Sequence, residues 1–64
     1  MTKFKIQAYN REMTELVSEY NKEFERTEDA LIEAYDKADS ADIVVLMRQS
    51  IFDSNCWKII AKFY

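Results

Sequence analysis

Cys56 is the chain's single thiol, and Asp36, Asp39 and Asp42 recur at three-residue spacing. These are the residues whose types invite a chemical reading. A thiol attacks as its thiolate, usually set up by a neighbouring base, and the chain has no His to serve as one. Beside Trp57, Cys56 therefore reads as a small apolar residue. The three aspartates could gather oxygen ligands around a divalent cation, but the glycine and terminal glutamate of a calcium loop are missing, and a solvated helix end accounts for them. Without His, most acid–base hydrolase arrangements are gone. Without Gly, no loop can bring its backbone N–H groups against a phosphate as nucleotide sites do. A chain of 64 residues also has little depth in which to enclose a substrate. No catalytic residue, cofactor site or metal site is expected, and the chain reads as non-enzymatic.

Charge is the next feature that could recognise something. Residues 12 to 42 carry eleven acids, from Glu12 to Asp42, against Lys22, Arg26 and Lys37, which leaves that stretch at -8. The flanks are basic: Lys3, Lys5 and Arg11 precede it with no acid, and Arg48, Lys58 and Lys62 follow against Asp53 alone. The overall charge of -3 thus conceals a segregated layout. Such a segment can present one negative surface to a basic partner.

Size decides how firmly that surface can be held. One domain over residues 1–64 lies near the lower limit at which a hydrophobic core offsets chain entropy. Hydrophobic residues at 48% and aromatics at 14% are too abundant for a disordered chain, so it should fold. A lone Cys closes no internal disulfide, which fits a reducing interior. The longest apolar run, Ile43 to Met47, is far short of the roughly 20 residues that cross a bilayer. No targeting segment is visible, so the cytoplasm is the expected compartment.

The elements follow from periodicity. Phe4, Ile6 and Ala8 alternate with Lys3, Lys5, Gln7 and Tyr9, and Trp57, Ile59, Ala61 and Phe63 alternate with Lys58, Ile60, Lys62 and Tyr64. Period two marks strands over 3–9 and 56–64, which could be neighbours in one sheet. Thr27 with Glu28 and Asp29 reads as a helix start, a hydroxyl cap followed by first-turn carboxylates. A helix over 27–39 would bury Leu31, Ala34, Tyr35 and Ala38 and stop near Ser40. The β-branched run from Ile43, then Asp53, Ser54 and Asn55, predicts a strand over 42–50 and a turn into the last strand. Residues 13–26 fit two readings. Met13, Leu16, Val17, Tyr20 and Phe24 match helical spacing, yet one helix from 11 to 39 would be about 43 Å long and overrun the strands. A strand over 15–25, with Leu16, Tyr20 and Phe24 inward, resolves that conflict.

The expected fold is α+β, a single antiparallel-rich sheet in ββαββ order with one helix packed on one face. The helix would cover Phe4, Ile6, Leu16, Tyr20, Trp57, Ile59 and Phe63, and loss of the Trp57 ring alone would cost about 3 to 5 kcal/mol.

On this frame the acids have two uses. Glu19 and Glu23 can stand opposite Lys3 and Lys5 as cross-strand pairs worth roughly 0.2 to 1 kcal/mol each. Within the expected helix 27–39, Glu28, Asp29, Glu33 and Asp36 have only Lys37 as a basic residue. The partner-binding set is therefore Glu19, Glu23, Glu28, Asp29, Glu33 and Asp36. Its expected target is a basic surface on a larger protein, for instance the nucleic-acid groove of an enzyme, which the chain would block. Two alternatives use other residues. Lys3, Lys5, Lys58 and Lys62 with Tyr9 and Tyr64 would form a single-stranded nucleic-acid-binding sheet if the terminal strands adjoin. An outer face with Val17, Ile60, Tyr9 and Tyr64 would pair with a second copy as a homodimer. In size and charge layout, with its strand pair, its Thr27-Glu28-Asp29-Ala30-Leu31 helix start and its terminal hairpin, the chain resembles small virus-encoded proteins that bind and disable host factors, among them anti-CRISPR proteins and polymerase inhibitors. That resemblance implies an inhibitor and assigns no site residue.

Overall fold

Ile43, Val44, Val45 and Leu46 are consecutive and all buried, as befits a strand flanked by neighbours on both sides at the centre of a sheet. The computed structural model describes residues 2–39 and 43–64 and places this run accordingly. The elements are β1 (Thr2–Tyr9), β2 (Leu16–Phe24), α1 (Thr27–Ala38), β3 (Ile43–Gln49) and β4 (Trp57–Phe63). The strands form one antiparallel sheet in the order β2-β1-β3-β4, and α1 lies on one face. The fold is the small α+β arrangement that the periodicities predict. The strand reading of residues 15–25 holds, while Ser40, the expected helix stop, and Asp42, the expected start of the third strand, lie outside the described residues.

Under the helix, Phe4, Ile6 and Ala8 of β1 meet Val44 and Leu46 of β3, with Phe24, Ala30 and Ala34 closing the core. Phe4 and Phe24 pack edge to face at 5.7 Å between centroids. Ala30 and Ala34 are fully buried. Their small side chains let the helix backbone approach the sheet closely, so the buried line runs through them. Leu31 and Ala38 pack beside it. Tyr35, expected in the buried stripe, is instead 61% exposed. A phenol ring does not fit under so close a helix, and it turns edge-on to Phe63 at the helix's side, 5.9 Å away.

Each edge strand carries one extra residue, and these two bulges explain the remaining departures. In β2 the register passes from Ala8↔Ser18 to Tyr9↔Leu16, leaving Val17 unmatched. Leu16 thereby leaves the helix-covered side and is 44% exposed. In β4 it passes from Leu46↔Ala61 to Met47↔Ile59, leaving Ile60 unmatched and packed against the core. Ala61 and Phe63 keep to the helix side, but Trp57 and Ile59 fall on the opposite face, where Lys5 Nζ lies 4.4 Å from the Trp57 ring centre. The cost expected for losing Trp57 assumed burial beneath the helix, and that premise fails. Ile60, expected on the outer face, lies on the inner one.

The terminal strands are not neighbours, since β3 separates β1 from β4. Lys58 pairs with Arg48, itself opposite Phe4 on the helix side, whereas Lys62 pairs with Val45 on the outer face. The condition that the termini adjoin therefore fails, and Lys58 lies on the opposite face from Lys3, Lys5, Tyr9 and Lys62. Thr27 is the first helical residue, preceded by Arg26 at the cap position with no side-chain cap bond; Glu28 and Asp29 do occupy the first turn. Cys56 is exposed rather than packed, its thiol donating to Asp53 Oδ2 at 3.4 Å. No helix among the described residues is long and apolar enough to cross a membrane.

Candidate functional site

The helix has a sheet-facing line through Ala30 and Ala34, and at 3.6 residues per turn the opposite side belongs to Glu28, Asp29, Ile32, Tyr35 and Asp36. All five are exposed. Glu28, Asp29 and Asp36 make no ion pair among the described residues. Between them stand two large apolar side chains, Ile32 and Tyr35, each 61% exposed. The outer helix face is thus carboxylates around an aliphatic and an aromatic group.

Glu33 points elsewhere. On the flank facing β2 it accepts a hydrogen bond from the Tyr20 hydroxyl at 2.8 Å and one from Lys22 Nζ, also at 2.8 Å. The Lys22 ammonium and the Tyr20 hydroxyl hold its carboxyl below the ordinary carboxylate value, although burial acts in the other direction. Burial first, and the Glu33 carboxylate second, push the Tyr20 phenol up to about 12. Lys37 Nζ lies 5.5 Å from the Tyr20 ring centre. This cluster ties α1 to the edge strand and keeps the outer helix face at a fixed attitude. Glu33 thus fastens the helix to β2 and does not stand on its open face.

Glu19 and Glu23 lie on the other side of the sheet. Glu19 accepts from Gln7 Nε2 at 2.8 Å and has Lys5 Nζ 3.5 Å from the same oxygen. Glu23 stands opposite Lys3 in the register. Of the two pairs expected, Glu23 with Lys3 is in register, whereas Lys5 stands opposite Asn21 and reaches Glu19 along the diagonal. The six residues read as one partner-binding set therefore divide into three. Glu28, Asp29 and Asp36 share an open face, Glu33 anchors it from the side, and Glu19 and Glu23 sit a sheet's thickness away.

Ile32 and Tyr35 escape a reading based on charge. Their signal is the Ala30–Ala34 pair: two alanines four apart mark a close-approach line, and residues two and five beyond the first fall on its far side. Among the described residues no three His, Cys, Asp or Glu side chains converge as a metal site would require, and Asp42, the last of the spaced aspartates, is outside them. Comparison of the chain with protein-family models, with curated proteins and with solved structures finds no match in any of the three.

Proposed function

We propose that this chain is a small non-enzymatic binding protein whose outer helix face docks on a basic, partly apolar site of a larger protein and blocks it. The observation that carries the reading is the exposure of Ile32 and Tyr35 among Glu28, Asp29 and Asp36, which make no ion pair among the described residues. Interfaces combine such parts. Aromatic and aliphatic groups supply the desolvated centre that sets lifetime, and peripheral charge steers encounter and rejects wrong partners. A basic groove that ordinarily receives nucleic acid has the matching sign, and the resemblance to host-factor inhibitors points the same way.

The reading is tested with a partner captured from lysate and then purified. The on-rate should fall as salt rises from low to physiological concentration. Tyr35→Ala should speed dissociation about tenfold or more, and Asp36→Lys, outside the first helical turn, should slow association without lowering the thermal midpoint. Charge reversal without effect on binding, or an on-rate indifferent to salt, would rule the helix face out.

A further inference from the structure

At the end of the sheet where β3 turns into β4, the chain holds two apolar side chains almost wholly in water: Ile51 is 83% exposed and Phe52 92%. The loop that carries them is internally bonded. Ser50 N donates to Cys56 O at 2.9 Å, Cys56 N to Asp53 O at 3.0 Å, and Gln49 Nε2 to Ser54 O at 2.8 Å. Ser50 Oγ accepts from Phe52 N at 3.1 Å, and Asp53 Oδ1 from Asn55 N at 2.9 Å. The exposure of Ile51 and Phe52 is therefore built into the loop rather than left by a missing contact.

Directly below the tip, Arg48 and Lys58 are cross-strand partners. Like charges placed so are unfavourable unless an anion joins them. Neither makes an ion pair among the described residues. The segment's one acid, Asp53, is turned into the loop, where it accepts from Asn55 N and from the Cys56 thiol. Arg48, Lys58, Ile51 and Phe52, with Gln49 and Ser50, line a pocket of about 230 Å³.

We infer that this hairpin tip is a second docking site, built for an acidic peptide segment of a partner protein. A carboxylate of the segment bridges Arg48 and Lys58, and an adjacent aromatic or branched side chain lies against Ile51 and Phe52. Charge complementarity selects the occupant. An anionic bilayer recruits clusters of about four to eight cations, whereas the tip offers the two of one cross-strand pair, Arg48 and Lys58, which suit a single carboxylate. The acidic helix face of a second copy has suitable chemistry, but tip-to-helix contacts are heterologous and would build rings or filaments, an outcome that concentration-dependent self-association reads. The inference does not rest on the helix-face reading. Together they describe a bivalent protein, with a basic partner on the outer helix and an acidic one on the hairpin.

The test is a peptide-display selection on the immobilised full chain, counter-selected on the Arg48→Glu, Lys58→Glu double variant, which removes any peptide held by the helix. Recovered peptides should pair Asp or Glu with an aromatic or branched apolar residue. The best of them, synthesised with a fluorescent label, should lose about tenfold or more in affinity with Arg48→Glu and with Phe52→Ser, and keep it with Asp36→Lys. Circular dichroism checks that each variant is folded. No enriched peptide, enrichment without acids, or peptides bound equally by Arg48→Glu would overturn the proposal. So would co-sedimentation with phosphatidylserine vesicles, or concentration-dependent self-association, that Phe52→Ser abolishes while no peptide binds.

Discussion

Met13 has a backbone φ of 57°, in the left-handed region that a side chain disfavours. The chain has no glycine to place there. The turn survives because Asn10 braces it from three directions: its backbone O accepts from Met13 N at 3.0 Å, its Oδ1 from Thr14 N at 2.9 Å, and its Nδ2 donates to Thr14 Oγ1 at 3.0 Å. Met13→Gly should therefore stabilise the protein, by about 1 kcal/mol or less once glycine's extra freedom in the unfolded chain is subtracted; urea unfolding reads the change. The Tyr20–Glu33 bond gives the stability a pH signature. The Tyr20 pKa is raised, so its contribution is whole below the unfolded value of 10.0 and lost as pH climbs through about 12. The Glu33 pKa is lowered, so its contribution is present above 4.5 and lost on acidification below it. Tyr20→Phe should lower stability at neutral pH by about 1 kcal/mol. The gap to the parent protein should close toward pH 12 in paired denaturation curves, and an unchanging gap would show the bond to be idle.

The bulges dominate at the scale of elements. Ile60 is an inserted residue, and everything N-terminal to it in β4 lies on the opposite face from where simple alternation would put it. Deleting Ile60 should leave Ile59 opposite Met47 and Ala61 opposite Leu46 as consecutive residues of a regular ladder, with Trp57 still on the outer face. The deletion should cost about as much stability as Ile60→Ala and leave the Trp57 emission in place, both read in one thermal melt by fluorescence; a shifted emission would contradict the bulge. The same feature marks how far the sequence could be read. Strand existence and order along the chain were legible because alternation such as Phe4-Lys5-Ile6 and a buried run such as Ile43–Leu46 are local. Phase beyond a bulge was not. Nothing in Leu16-Val17-Ser18 or Ile59-Ile60-Ala61 states which residue is left unmatched, because the neighbouring strand decides it. The acidic helix was legible as charge. Its apolar members were not, since Ile32 and Tyr35 reach the surface only because two alanines draw the helix close to the sheet.

The whole molecule measures 32 × 21 × 15 Å, and its interior is nearly confined to one seam. At 64 residues its total stability should be about 3 to 10 kcal/mol. Leu46, fully buried at that seam, should cost about 2 to 5 kcal/mol when cut to alanine, enough to bring the midpoint of chemical unfolding close to zero denaturant. Ile59, 53% exposed on the outer face, should cost under about 1 kcal/mol on the same truncation; equal losses would contradict the phase of β4. The strand order also governs how the chain finds this state. β1–β2 and β3–β4 are hairpins between consecutive strands, and the sheet's long-range join is that of β1 to β3, where Phe4 meets Arg48 and Ala8 meets Val44. Two halves that can form early by local closure must then dock along one line, and the core does not exist until they do. Truncating Phe4, Ile6, Val44 or Leu46 should accordingly slow folding, while the exposed residues of the outer helix face and the hairpin tip can change without slowing that search.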